Sequence, residues 1–116
     1  MTKLFALIYL LFMFSCSHSS SNKQRCLNDN TGKTCYDIGS EFFLHVDSVK
    51  GMNEVENIKK LTAEYFEQGC KYGHAISCFE FGKFNLYIGE KNIGKELIKK
   101  ACEQKYDKAC TALDEY

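Results

Sequence analysis

Apolar residues recur along this chain at the spacing of helices. Between positions 54 and 69 they fall at Val55, Ile58, Leu61, Tyr65 and Phe66, which is one stripe on a helix of about 3.6 residues per turn. Asn53 stands where an N-cap would, and Glu54 and Glu56 suit the positive end of the helix that follows. A second stripe, Ile38, Phe42, Phe43 and Val46, predicts another helix after Cys35. A third, Ile93, Leu97, Ile98 and Ala101, predicts one before Cys102. The stretch 78–88 carries Phe79, Phe81, Phe84, Leu86, Tyr87 and Ile88, so it is apolar nearly all round. A short last stretch, 107–116, bears Leu113 and Tyr116. No segment alternates with the period of a strand, and the chain has no proline to interrupt these runs. The pattern predicts an all-α protein.

Cysteines punctuate the stripes. Cys70 and Cys78 frame a C-x₇-C spacing, Cys102 and Cys110 repeat it further along the chain, and Cys26 and Cys35 form a looser version. Each second cysteine opens one predicted helix and each first cysteine closes another. The order is thus helix, loop, helix, cysteine-framed turn, and again. Such a period predicts a short α/α solenoid of antiparallel helix pairs, each burying its apolar stripe on the next. The unit 35–70 is longer than the unit 78–102 by about three helical turns, so the stripe keeps its direction across the insertion. Positions 47–51 are the expected loop of the long unit, and Gly89 the expected breaker of the short one.

The N-terminus bears on the compartment. Lys3 precedes an uninterrupted apolar run from Leu4 to Phe14, which suits a signal-peptide core and is too short to span a bilayer. It ends in Ser15-Cys16, a small residue before cysteine, which resembles the bacterial lipobox. Residues 1–15 are therefore expected to be a lipoprotein-type signal with Cys16 as the lipidated residue; ordinary secretion is the alternative. The serine-rich stretch 16–25 is expected to be a tether, leaving 26–116 as the folded domain. Ser20-Ser21-Asn22-Lys23 has the formal spacing of the serine–lysine motif of penicillin-recognising enzymes. In a flexible leader it lacks the buried helix start which that chemistry needs.

A lipidated Cys16 leaves six of the seven cysteines, an even number for an exported chain. Six cysteines admit fifteen connectivities, among which sequence alone does not choose. The repeated spacing favours the neighbours Cys26–Cys35, Cys70–Cys78 and Cys102–Cys110. Zinc is the rival use, but structural zinc ligands pair two to four residues apart and no C-x₂-C occurs. No metal and no cofactor is expected.

These frames resemble the cysteine-rich branch of the Sel-one-like repeat proteins, relatives of tetratricopeptide repeats. There the second helix of a unit ends in Lys-Ala-Cys and the first opens Cys-x-x-Leu-Gly. Lys100-Ala101-Cys102 matches the first frame, and Cys35-x-x-Ile38-Gly39 and Cys78-x-x-Phe81-Gly82 match the second. The chain departs from the pattern at Gln68-Gly69, at Asp114 and at Lys105, which stands where a turn glycine is usual. The resemblance covers positions 26–116 and implies a disulfide across each cysteine-framed turn. It also implies a β-lactam as a ligand, because members of that family are catalogued as β-lactamases.

Charge adds little. Lys and Arg number 15 against 15 Asp and Glu, and losing Lys3 with the leader leaves the rest near −1. No basic patch suggests nucleic acid; Lys99, Lys100, Lys105 and Lys108 read as a solvated face. His18, His45 and His74 are scattered, with His74 placed in a turn. No catalytic frame or phosphate loop is present. On the helix from Cys78, residues Glu80, Lys83, Phe84 and Tyr87 project opposite a core stripe of Cys78, Phe81 and Gly82; Asp37, Glu41 and Leu44 hold the equivalent face of the earlier helix. Aromatics flanked by charge suit a protein or peptide partner, although a helix this apolar could instead bury them. The expected function is an exported, lipid-anchored binding or scaffolding module of a bacterial envelope, facing the periplasm or the cell surface. The alternative is the penicillin-binding or β-lactamase activity that the resemblance implies.

Overall fold

A computed structural model describes residues 17–116 of the chain. The predicted leader at 1–15 and the predicted lipidation at Cys16 lie outside the described residues. The element order is α1 (Ser17–Asn28), α2 (Lys33–Leu44), a 3₁₀ turn (Val46–Ser48), α3 (Met52–Lys71), α4 (Ala75–Tyr87), α5 (Lys91–Glu103) and α6 (Asp107–Leu113). The described residues contain no strand, and each helix packs on its neighbours in sequence. The all-α expectation holds for this part of the chain. Among the described residues no helix is long and apolar enough to cross a membrane.

Three disulfides join Cys26 to Cys35, Cys70 to Cys78 and Cys102 to Cys110. In every case the first cysteine lies near the end of one helix and the second at the start of the next. Their Cα atoms are 4.5, 4.5 and 4.6 Å apart, so each bond clamps a tight reversal of the chain. Bonds in a chain this small are compatible with an extracellular or periplasmic protein.

Two of the reversals are built from the same hydrogen bonds. Gly73 N–H donates to Cys70 O and His74 N–H to Gly69 O; at the next joint Lys105 N–H donates to Cys102 O and Tyr106 N–H to Ala101 O. This pairing satisfies the orphan carbonyls of the ending helix and needs a left-handed residue. Gly73 takes that conformation at φ 83° and Lys105 at φ 69°. The first reversal is longer and is held by Asp29, whose carboxylate accepts from Thr34 N–H at 2.7 Å and Thr31 N–H at 3.0 Å. Those hydrogen bonds hold the Asp29 carboxyl well below the usual carboxylate range.

The core forms two clusters, each gathered around a joint. Cys26, Cys35, Ile38 and Tyr65 make one, with Phe42 and Tyr72 against it. Cys70, Cys78, Phe79, Ile98, Ala101 and Ala109 make the other, with Leu86, Leu97 and Leu113 packed against it. Leu113 thus folds onto the last long helix, while Tyr116 remains 56% exposed. Helices approach closely where glycine stands on a contact face. A Cβ on Gly39 would meet the Phe66 ring at 3.0 Å, and one on Gly82 would meet Ile98 Cγ1 at 2.8 Å.

Several local expectations need correction. The stretch 16–25, expected as a tether, is helical from Ser17 onward. Its residues Ser21, Lys23, Gln24 and Arg25 are exposed and Asn22 is half-buried, and Cys26 anchors the helix in the core. The serine–lysine motif is therefore helical too, but Lys23 faces solvent. Gly51, not Asn53, is the N-cap of α3, because the chain arrives there in extended conformation. Helix α4 opens at Ala75, before Cys78, because His74 caps it. Its buried stripe holds Phe79 and Asn85 where Phe81 was expected; Phe81 is half-buried. The extra length of the long unit lies mainly in α3, which has 20 residues against 13 in α5.

An aromatic groove as the candidate functional site

Three helices line one concave groove of about 650 Å³. Helix α3 forms its floor with Lys59, Thr62, Ala63 and Phe66. Helix α2 contributes Tyr36, Ser40, Phe43 and Leu44 to one wall, and α4 contributes Glu80, Lys83, Phe84 and Tyr87 to the other. Within each set the spacing runs in steps of three, four and one, which keeps the residues on one helical face. All four residues that the sequence nominated on α4 meet here. On α2 only Leu44 of the nominated face takes part. Asp37 and Glu41 are exposed outside the groove, and Asp37 pairs with Lys33 at 2.7 Å.

Large apolar surface stands open at this site. Leu44 is 78% exposed, Tyr87 69% and Phe43 57%, while Phe84 is half-buried. Wall and floor are tied together, since Tyr36 stacks on Phe66 with ring centroids 5.7 Å apart. Aromatic side chains have only two torsions to order, so they cost a ligand little entropy on the protein side. A cleft of this size and lining falls within the range of ligand sites.

Charge at the rim is sparse and specific. Glu80 and Lys83 form an ion pair at 2.9 Å, and the Lys83 ammonium lies 4.9 Å from the centre of the Phe79 ring. The Lys59 ammonium donates to the Tyr87 hydroxyl at 3.2 Å and sits 4.9 Å from that ring's centre. Among the described residues it has no carboxylate within ion-pair distance. Beneath the rim, Thr62 is 3% exposed and its Oγ1 has no hydrogen-bond partner among the described residues.

The floor residues Lys59, Thr62 and Ala63 do not follow from helical projection of the sequence. They flank the apolar stripe of α3 and become groove-lining because α2 and α4 both pack on α3 and scarcely touch each other. A clearer sequence signal was Thr62-Ala63, two small residues set inside a run of large ones.

A serine–histidine contact elsewhere has a structural use. His74 Nδ1 accepts from Ser77 N–H at 3.3 Å and lies 2.8 Å from Ser77 Oγ, so His74 caps α4. Ser77 is fully buried, so its hydroxyl cannot reach a substrate. Burial holds the His74 imidazole below its ordinary value, with the nearby Asp37 opposing that and Lys33 adding to it. Among the described residues no cluster of three or more His, Cys, Asp or Glu side chains could hold a metal ion.

No family model matches this chain, nor does any curated protein or solved structure.

Proposed function

We propose that this protein is an exported, lipid-anchored binding module that presents a helical-repeat groove to a protein or peptide partner in a bacterial envelope. The observation that carries this reading is the groove itself. Phe84 and Tyr87 stand on the open wall of a 650 Å³ cleft with Phe43 and Leu44 facing them. Exposed apolar residues scattered singly need no explanation, but a contiguous set around a formed cleft marks an interaction site. The repeated hydrogen bonds of the two later reversals support a solenoid of Sel-one-like type. The apolar run before Cys16 and the three disulfides support export.

The test is site-specific photocrosslinking in living cells. A photoreactive phenylalanine analogue at position 87 is expected to give one discrete cross-linked product. The same analogue at position 108, on an exposed part of α6, is expected to give none. Equal cross-linking from both positions, or none from either, would overturn the proposal.

A further inference from the structure

The groove has dimensions and charge that narrow the partner, given the peptide-binding reading above on which this step rests. Its lining residues on α3 and on α4 each span positions i to i+7, which is about 10.5 Å at roughly 1.5 Å per residue. A helical partner would lay only about two turns along that length, and a peptide helix so short bears its nucleation cost for few hydrogen bonds. An extended chain advances about 3.3 Å per residue, so three to four of its residues fill the length. In such a segment alternate side chains point the same way, and two of them enter the aromatic cleft together.

The rim decides what accompanies them. Glu80 and Lys83 neutralise each other. Lys59 is the lining cation without a carboxylate among the described residues, held on the hydroxyl and ring of Tyr87. A cation on an exposed aromatic ring gains only about 0.5–1 kcal/mol. A carboxylate arriving beside it, in a cleft that has lost water, offers a stronger charge-assisted hydrogen bond. A basic side chain arriving there meets repulsion. We infer that the groove takes a short extended peptide segment with two large apolar side chains beside an acidic one, and that Lys59 selects the acid.

Panning phage-displayed random dodecapeptides against the oxidised chain tests this. The enriched sequences are expected to carry large apolar residues at i and i+2, with Asp or Glu within two positions of them. Lys59→Gln is expected to keep the apolar pair and lose the acid, and Lys59→Glu to replace the acid by Lys or Arg. A synthetic peptide of the leading sequence should bind about fivefold more weakly when its acid is made the amide. Against Lys59→Gln that change should make no difference. Unchanged melting of both variants establishes that the fold is intact.

Enrichment of apolar pairs with no acid, or an acid preference that survives Lys59→Gln, overturns this inference and leaves the peptide-binding groove standing. No enrichment, with the unmutated chain and Phe84→Ser behaving alike, overturns both. Sedimentation as a dimer that Phe84→Ser abolishes would put a second copy of this chain in the groove and overturn the inference.

Discussion

The ring of Phe79 meets the ring of Tyr106 edge-on with centroids 5.3 Å apart, and Tyr36 meets His74 at the same separation. In each pair the first residue directly follows a bridged cysteine and the second is the N-cap position of a later helix. Each joint is therefore braced against the next by one aromatic contact as well as by its own disulfide. Phe79 is 8% exposed and belongs to the larger core cluster. Phe79→Ala is expected to cost about 3 kcal/mol, seen as a lower urea midpoint with little change in slope.

Close helix approach at α4 and α5 depends on Gly82 and Gly94. A Cβ at Gly82 would lie 3.0 Å from Gly94 O as well as against Ile98. Alanine there gains about 1 kcal/mol in helix propensity. Forcing the helices apart costs about 1–3 kcal/mol. Gly82→Ala should thus lower the melting temperature, whereas the same change in an exposed helix would raise it.

Lys105 is the non-glycine residue in left-handed conformation among the described residues. That conformation costs an ordinary residue about 1–2 kcal/mol, part of which glycine returns through its freer unfolded chain. Lys105→Gly is expected to stabilise the protein by about 0.5–1 kcal/mol in chemical denaturation. A loss of stability would show that the Lys105 side chain carries a compensating contact.

His74 makes the second joint sensitive to acid. Its imidazole is held below the ordinary value by burial, so the folded state disfavours the proton. Its stabilising contribution is complete above the unfolded value near 6.5 and is lost as pH falls through the lower folded value. Protonation at Nδ1 also removes the acceptor that Ser77 N–H uses. Thermal melts from pH 7.5 down to 5 should fall for the natural chain. His74→Asn, which can still cap, should flatten that part of the profile.

Reduction should proceed in a fixed order. Cys26, Cys35, Cys70 and Cys78 are all at most 4% exposed, while Cys102 is half-buried, as is Cys110. Mild reductant followed by alkylation and peptide mapping is expected to label Cys102 and Cys110 first, because exchange needs access to sulfur. Each bond closes a loop worth about 2.5 kcal/mol by chain entropy. Complete reduction should therefore unfold the domain, and labelling of six thiols without reductant would contradict the disulfides.

Much of this was written in the order of residues. The period of Val55, Ile58, Leu61, Tyr65 and Phe66 dictates a helix because only that geometry brings them towards one side. Packing nonetheless leaves Leu61 37% exposed and buries Thr62 and Ala63 beside it. The repeated cysteine spacing announces joints because a helix end, a tight turn and a helix start require about that much chain. Neighbour pairing was only favoured by the spacing. The folded chain decided it by bringing the paired Cα atoms within 4.6 Å. Helical projection also nominated Glu80, Lys83, Phe84 and Tyr87, since a residue's face follows from its number. What lies opposite a face does not follow from its number. That Phe79 turns inward while Phe81 stays half-buried depends on where Tyr106 and Ile98 arrive. Lys59 meets Tyr87, far along the sequence, because α3 and α4 run antiparallel from a shared joint. The helices are local and were legible in the chain. The groove exists only as the space between three of them, and tertiary packing alone sets that space.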